Sequence, residues 1–428
     1  THTHTHTHTH THTHTHTHTA MMWITYAPIS DLVAEFYGVP QSVVNLFSVS
    51  WSILYLPGSA LHTYVMAKRG VRQVVLLGIA GTALGGVLRT LGSLLVDAGT
   101  IGTLPGYLMT LLGQALAGLV QPIFVNGSAM IAAIWFGVEE RDLATAASSF
   151  CSPLGSALGQ FIPPMLVSEN DDGDVEGMTL LHAVQAGIAL VGFVAVLVAF
   201  AEAPPTPPSR STELRHREDR GTMAATDVLR TAWGMLRDQQ FQILLWSFGV
   251  GLCMFNSLMT LINEYTAVEG YSDNDAGIFG GIFLMMGLVG VIAAGVVMDA
   301  THAYRAIFKT AFVLAIGSLL FLIVALRPGQ FAWSAVAFGA MGCVMLSLLP
   351  IALETAVECT YPASEEISAG MLFSIGNIFT VGCVYFMETL IKLHDDYDST
   401  VFTPVNLALL AFAGVAVLPA LFYSGPNR

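Results

Sequence analysis

Of the 428 residues, 11% are charged and 54% are hydrophobic, and the mean hydropathy is +0.64, whereas an ordinary soluble domain is about 25% charged. Too few polar residues remain to cover a water-soluble fold of this length, so the solvent that suits the chain is lipid. The net charge of −14 comes without a basic stripe, which excludes nucleic acid as a partner, and the five cysteines (Cys151, Cys253, Cys343, Cys359, Cys383), with no CxxC, read as small core residues rather than a disulfide or metal framework.

In chain order, residues 1–19 are an uninterrupted Thr-His alternation ending at Ala20. Alternate histidines would share one face of a strand and bind metal weakly. The reading adopted is a low-complexity repeat, because a (CA)n dinucleotide tract translates as Thr-His and such a tract marks a gene-model artefact. The apolar segment from Met21 to Ile29 is too short to cross a bilayer alone, so the first helix is expected to lack its N-terminal half. Apolar runs of about 20 residues, the length that spans a bilayer, follow at 44–66, 73–96, 105–136, 143–166, 179–201, 240–262, 276–299, 304–326, 331–357, 367–391 and 401–423. Between the sixth and seventh spans lies Ala203-Pro-Pro-Thr-Pro-Pro-Ser209, then a charged stretch to about Asp238. Such a stretch is a solvated linker.

The positive-inside rule sets the orientation. With the N-terminus in the cytoplasm, the inner side receives Lys68, Arg69, Arg72, Arg141, Arg210, Arg215, Arg217, Arg220, Arg230, Arg237, Arg305, Lys309 and Arg428, and the outer side only Arg89, Arg327 and Lys392. Both termini are then cytoplasmic. The loop after the second helix of the latter half reads Gly295-Val-Val-Met-Asp299 with Arg305 downstream; the equivalent stretch of the first half, Thr63 to Arg72, keeps the basic residues but neither Gly nor Asp. These features resemble the major facilitator type. The expected fold is therefore an all-α membrane protein with 6+6 helices in two pseudo-symmetric halves, the organisation in which a solute is held between the halves. Its divisions are the repeat (1–19), an N-terminal bundle with a truncated first helix (20–201), a cytoplasmic linker (202–238) and a C-terminal bundle (239–428).

Several stretches resemble one branch of these carriers, the feline leukaemia virus subgroup C receptor-related family. They are Trp23-Ile-Thr-Tyr-Ala-Pro-Ile-Ser-Asp31 with Phe36-Tyr-Gly-Val39, Ile134-Trp-Phe-Gly137, Pro163-Pro-Met-Leu-Val167, Pro204 to Ser209, and Leu349-Pro350 through Glu354-Thr-Ala-Val-Glu358-Cys-Thr-Tyr-Pro362. The resemblance runs from about residue 21 to 423. It implies twelve helices, no ATP use and movement of a small organic solute; choline and ethanolamine are the best understood cargoes, and some members are linked to haem. In the choline carriers an aromatic cage from helices one and seven holds the ammonium through cation–π attraction, flanked by glutamines from helices four and eleven. The resemblance places Trp23 at the helix-one tryptophan and Gln121 at the helix-four glutamine. The helix-eleven glutamine becomes Asn377, and the helix-seven tyrosine becomes Asn256, beside Phe255. Half of the cage is replaced.

Polar groups at bilayer depth are costly unless they meet a partner or an aqueous cavity. Gln121, with Gln114 two turns away on the same face, is either a solute ligand or a helix–helix hydrogen bond. Asn256 is expected to face the cavity and Glu264, beyond Asn263, to lie at the outer mouth. Glu354 and Glu358, four residues apart on one helix face, read as an inner-gate ion-pair network with loop arginines or, for Glu354, as a proton-coupling or cation-attracting carboxylate. Asp299 reads as a gate residue that caps a helix or pairs with Arg305. Gly155, Gly159, Pro163 and Pro164 in helix five allow close packing and bending. The histidines outside the repeat (His62, His182, His216, His302, His394) fall towards helix ends and loops.

No HExxH, GxSxG or P-loop is present, so no catalytic residue, metal or cofactor is expected. The sequence is read as a monomeric, multi-pass carrier of the plasma membrane, facilitative or secondary-active, for an organic cation such as choline or ethanolamine. The alternatives are a haem or other organic-anion carrier and a membrane receptor or scaffold without transport.

Overall fold

The computed structural model describes residues 15–136, 138–200, 225–301, 303–360, 365–393 and 401–424. The chain divides into two compact units, one of residues 1–26 with 31–222, the other of residues 27–30 with 223–428. The proline run and most of the expected linker lie outside the described residues.

The first unit begins with α1, residues 15–24, followed by α2 (Ser30–Tyr37). Residues 15–19 of the Thr-His repeat are thus helical and not a strand. They continue the first helix, and Thr15, His16, His18 and Thr19 are buried. The threonines fit a helix because their hydroxyls bond back one turn, Thr19 Oγ1 to the Thr15 carbonyl and Thr25 Oγ1 to that of Met21, each at 2.8 Å. α3 runs over Leu46–Asp97 and is broken at Gly70, whose φ of 80° only glycine adopts freely. Two candidate spans, Gln41–Met66 and Lys68–Asp97, fall along this stretch, Gly70 lying near the start of the second.

α4 (Thr103–Trp135), α5 (Val138–Phe161) and α6 (Met178–Ala199) complete the bundle. The expected span 143–166 stops at Phe161, and Pro163, which cannot continue the ladder, opens a separate turn to Leu166. A two-stranded hairpin, β1 (Ser168–Glu169) with β2 (Val175–Glu176), precedes α6. Glycines set the distance between α1 and α5. A Cβ at Gly155 would lie 1.9 Å from the Thr17 carbonyl oxygen, and one at Gly159 2.6 Å from that of Met21.

In the second unit the linker is not uniformly irregular. Ala225–Met235 forms α7, because Val228, Leu229, Ala232 and Met235 recur at helical spacing. Met235 is buried, and exposed Trp233 carries the Arg237 guanidinium over its ring. α8 (Gln239–Thr260) is capped by Asp238, whose carboxylate accepts from the Gln240 and Phe241 amides. α9 (Ile262–Ala267), α10 (Asp273–Thr301), α11 (Tyr304–Ala325), α12 (Phe331–Thr360), α13 (Glu365–Lys392) and α14 (Pro404–Leu421) follow.

The two bundles repeat one packing device. In the first, a Cβ at Gly58 of the second span would lie 2.1 Å from the Leu119 carbonyl oxygen of the fourth; in the second, one at Gly290 of α10 would lie 1.8 Å from that of Cys343 of α12. Such backbone contact through glycine is how helices associate where burial from water supplies no drive. Apolar side chains point outward, Val198 of α6 being 81% exposed and Leu418 of α14 61%. An apolar exterior of this kind is stable only in lipid. Ten helices among the described residues are long and apolar enough to cross a membrane. α5 opens on Val138-Glu-Glu-Arg-Asp-Leu143 and is not among them.

Candidate functional site

α1 carries the first group of polar contacts. From residue 18 to residue 30 every side chain is buried except Trp23, which is half-buried and packs against Met22, Trp51 and Ala117. Trp51 lies close because α4 offers Gly118 there, where a Cβ would sit 3.1 Å from the indole. Gln121, one turn further along α4, is half-buried and makes no hydrogen bond among the described residues. The helix–helix bond weighed for it is made by Gln114 instead, whose Nε2 donates to the Met22 carbonyl at 2.9 Å.

Around the last turn of α1 lies a polar cluster that sequence reasoning missed. The sequence puts Arg89 on the outer side near a helix end and His182 towards a helix end, yet Arg89 is 1% exposed and His182 fully buried. Arg89 Nε donates to the Tyr26 hydroxyl (2.9 Å), which pairs with His182 Nε2 (2.8 Å), while His182 Nδ1 pairs with Ser93 Oγ (3.0 Å). The Arg89 guanidinium also lies 4.9 Å from the centre of the Tyr26 ring. Gln185 Nε2 donates to Thr25 Oγ1. The available signal was an arginine inside the apolar run 73–96. Counting it by side of the membrane hid its depth, which is eight residues, or about 12 Å of helix, before the end of α3 at Asp97.

In the second unit, Asn256 of α8 is buried and donates from Nδ2 to Thr380 Oγ1 of α13 (3.1 Å). Asn377, one turn earlier on α13, is half-buried and bonds its own helix, donating to the Phe373 carbonyl (2.9 Å). The two helices approach closely at Gly249 and Gly376, where added Cβ atoms would meet Ile375 and Leu252 below 3.0 Å. Asn256 therefore lies in the α8–α13 contact, while Asn377 is tied to its own helix.

Glu264, expected at the outer mouth, is buried. The helix breaks at Leu261, and α9 buries Glu264 beside Asn263, whose amide donates to the Pro28 carbonyl (3.0 Å) and to Asp273. Glu354 is exposed on α12, whereas Glu358, one turn on, has a buried Oε2 with no partner among the described residues. Together with Asp299 of α10 these carboxylates lie within electrostatic reach of Tyr304. The expected Asp299–Arg305 pair is not formed among the described residues. Asp299 is exposed near the end of α10, where a helix presents unpaired carbonyls that a carboxylate cannot cap. All five cysteines are free, and no group of three or more His, Cys, Asp or Glu among the described residues is placed to hold a metal.

Comparison with known proteins gives these residues a context. The sequence profile described as Major Facilitator Superfamily matches residues 17–381. Solute carrier family 49 member A3 of Xenopus tropicalis is 27% identical over 86% of this chain and 73% of its own length. Choline/ethanolamine transporter FLVCR2 of Homo sapiens is 26% identical over 96% and 75%, and FLVCR1 of Mus musculus 28% over 96% and 73%. Among solved structures, a D-xylose-proton symporter superposes with a TM-score of 0.67 at 17% identity, covering 98% of this chain and 96% of its own. A bacterial homologue of the human lysosomal transporter Spinster does so with 0.67 at 13% and the same coverage. Such low identities speak to the fold, 6+6 helices, alone.

Proposed function

Because the chain belongs to the Major Facilitator Superfamily and is a multi-pass membrane transporter rather than an enzyme, we propose that its cargo is a small organic cation of the choline or ethanolamine kind. The observation that carries this reading is Trp23. In a stretch of thirteen residues, 18–30, it alone is not fully buried, so part of an indole stays uncovered where its neighbours in sequence are sealed. A quaternary ammonium over an indole face gains about 2 kcal/mol or more once desolvated, and such a cation needs no counter-charge at that contact. Relatives named choline/ethanolamine transporters, which this chain matches over about three quarters of their length, support the same class.

Gln121, Asn256 and Asn377 serve in this reading as neutral amides that orient the cargo's hydroxyl or amine. Glu354 and Glu358, with Asp299 and Arg305, form the inner gate, and Glu358 binds the coupling proton at its unpartnered oxygen. Both termini face the cytoplasm, and the plasma membrane is the site of action. The test is uptake of radiolabelled choline by transporter-null cells expressing the chain, compared with Trp23→Ala. Saturable uptake lost in the variant supports the assignment. Background uptake by correctly inserted wild type rules choline out and calls for an untargeted solute screen.

A further inference from the structure

We propose that Arg89 binds a small monovalent inorganic anion, of the chloride class, inside the first bundle. The argument begins with counting protons. Ser93 Oγ lies 3.2 Å from the Thr90 carbonyl and 3.3 Å from that of Arg89, so its single proton goes to the backbone. The Ser93 oxygen then accepts from His182 Nδ1–H, which leaves His182 Nε2 as an acceptor. Tyr26 O–H donates to that nitrogen, and the Tyr26 oxygen accepts from Arg89 Nε.

Every hydrogen bond in the chain is satisfied by neutral histidine in one tautomer. A second proton on His182 would leave Tyr26 without its acceptor and set two positive charges side by side. The cluster therefore carries a net charge of +1, located on Arg89.

That charge has no internal counterpart. No carboxylate among the described residues pairs with Arg89, and both Nη1 and Nη2 are buried without a hydrogen-bond partner. An uncompensated ion in a low-dielectric interior costs several kcal/mol, and a membrane bundle offers no nearby bulk water to reduce it. A guanidinium has five N–H groups, of which Nε uses one, so four remain. The unpartnered acceptors on the side chains that grip α1 are Gln114 Oε1 and Gln185 Oε1, two oxygens whose amides are already tied to Met22 and Thr25. Donors and positive charge are both in excess, the condition an anion relieves and water relieves only in part.

The enclosure restricts the anion's size, because Arg89 is 1% exposed and both of its terminal nitrogens are buried; α4 closes in on the base of the side chain, where a Cβ at Gly113 would lie 3.0 Å from Arg89 Cγ. A halide or nitrate suits such a place; a bulky organic anion does not. Nothing in this argument depends on the identity of the cargo.

The test is binding of 36Cl− to the purified full chain in detergent. Expected are saturable binding approaching one ion per chain, displacement by bromide and nitrate but not gluconate, and a melting temperature about 2–4 °C higher in sodium chloride than in sodium gluconate of equal ionic strength. Both responses vanish in Arg89→Gln. Equal melting in the two salts with no saturable chloride overturns the proposal, as does a response that survives in Arg89→Gln, which marks an adventitious ion only. Should Arg89→Gln not fold in either salt, Gln114→Glu decides: a carboxylate on the helix facing Arg89 supplies an internal counter-charge, and the chloride response must disappear, its persistence again overturning the site.

Discussion

The two bundles handle buried polarity in opposite ways. The first concentrates it around α1, where Arg89, Tyr26, His182 and Ser93 form a chain of hydrogen bonds whose directions depend on one another. The second keeps neutral amides at mid-helix, Asn256 on Thr380 and Asn377 on its own backbone, and places its carboxylates in the short helix α9 or towards helix ends, buried Glu264 and Glu388 as well as Glu354, Glu358 and Asp299. A directional chain that includes a charge cannot lose a member without stranding its neighbours. Self-contained amides can be exchanged one at a time. The first bundle is therefore built to hold α1, and with it Trp23, in one setting, while the α8–α13 contact is where single side chains can be exchanged.

The sharpest way to break this contrast is His182→Leu. It removes the acceptor of the Tyr26 hydroxyl and strands the His182 partner at Ser93, each buried polar group costing about 1–3 kcal/mol when unpaired. The expected loss is about 3 kcal/mol, read as a fall of about 6–12 °C in melting temperature for a bundle of this size. His182→Gln, whose amide can still accept from Tyr26, should recover part of it. Equal melting of wild type and His182→Leu would show the chain to be dispensable.

Trp23→Ala comes next and addresses cargo rather than fold. With its indole half-buried, the variant should insert normally while choline uptake efficiency falls about 30-fold, the equivalent of about 2 kcal/mol of desolvated cation–π attraction. A fall of the same size in Trp23→Phe would argue against an aromatic contact, since a phenyl face retains much of it.

Glu358→Gln bears on the charges of the second bundle. An unpartnered carboxylate oxygen buried on α12 is a cost that a neutral amide avoids, so the variant is expected to be more stable by about 1 kcal/mol. Uptake should persist but lose its response to an imposed pH gradient. Unchanged pH response would move proton coupling away from Glu358, with Glu354 next to be changed.

The reach of the sequence follows the same division. Helix positions were legible because lipid imposes runs of about 20 apolar residues, and the glycines of helix five were read for what they are, contacts that admit the α1 backbone at Gly155 and Gly159. The role of the Thr-His residues was not legible. Composition favoured an artefact, and only their position shows that threonine hydroxyls can be satisfied within the helix and that residues 15–19 extend α1. The polar cluster was hidden for a different reason. Its side-chain pairs join residues 63 to 156 apart, and no local spacing marks residues that meet only after three helices pack. Asp299 and Arg305 show the converse, since they are near in sequence yet unpaired.

The smallest effect is the one that most directly tests how far the α8–α13 contact can be tuned. Asn377 donates to the Phe373 carbonyl, a group already within the helical ladder, so removing the amide in Asn377→Ala strands no buried partner. Stability should change by only about 0.5 kcal/mol, below what the His182 variant loses by several-fold. Any larger effect on uptake then belongs to the cargo contact. Asn377→Gln supplies the complementary gain, because one added methylene carries the amide beyond its own backbone and gives the residue that the family resemblance expects at this position. Tighter choline uptake in Asn377→Gln with unchanged melting would place α13 in the cargo site. Unchanged uptake in both variants would confine the contact of α8 and α13 to packing and leave α1 and Gln121 to bind the cargo.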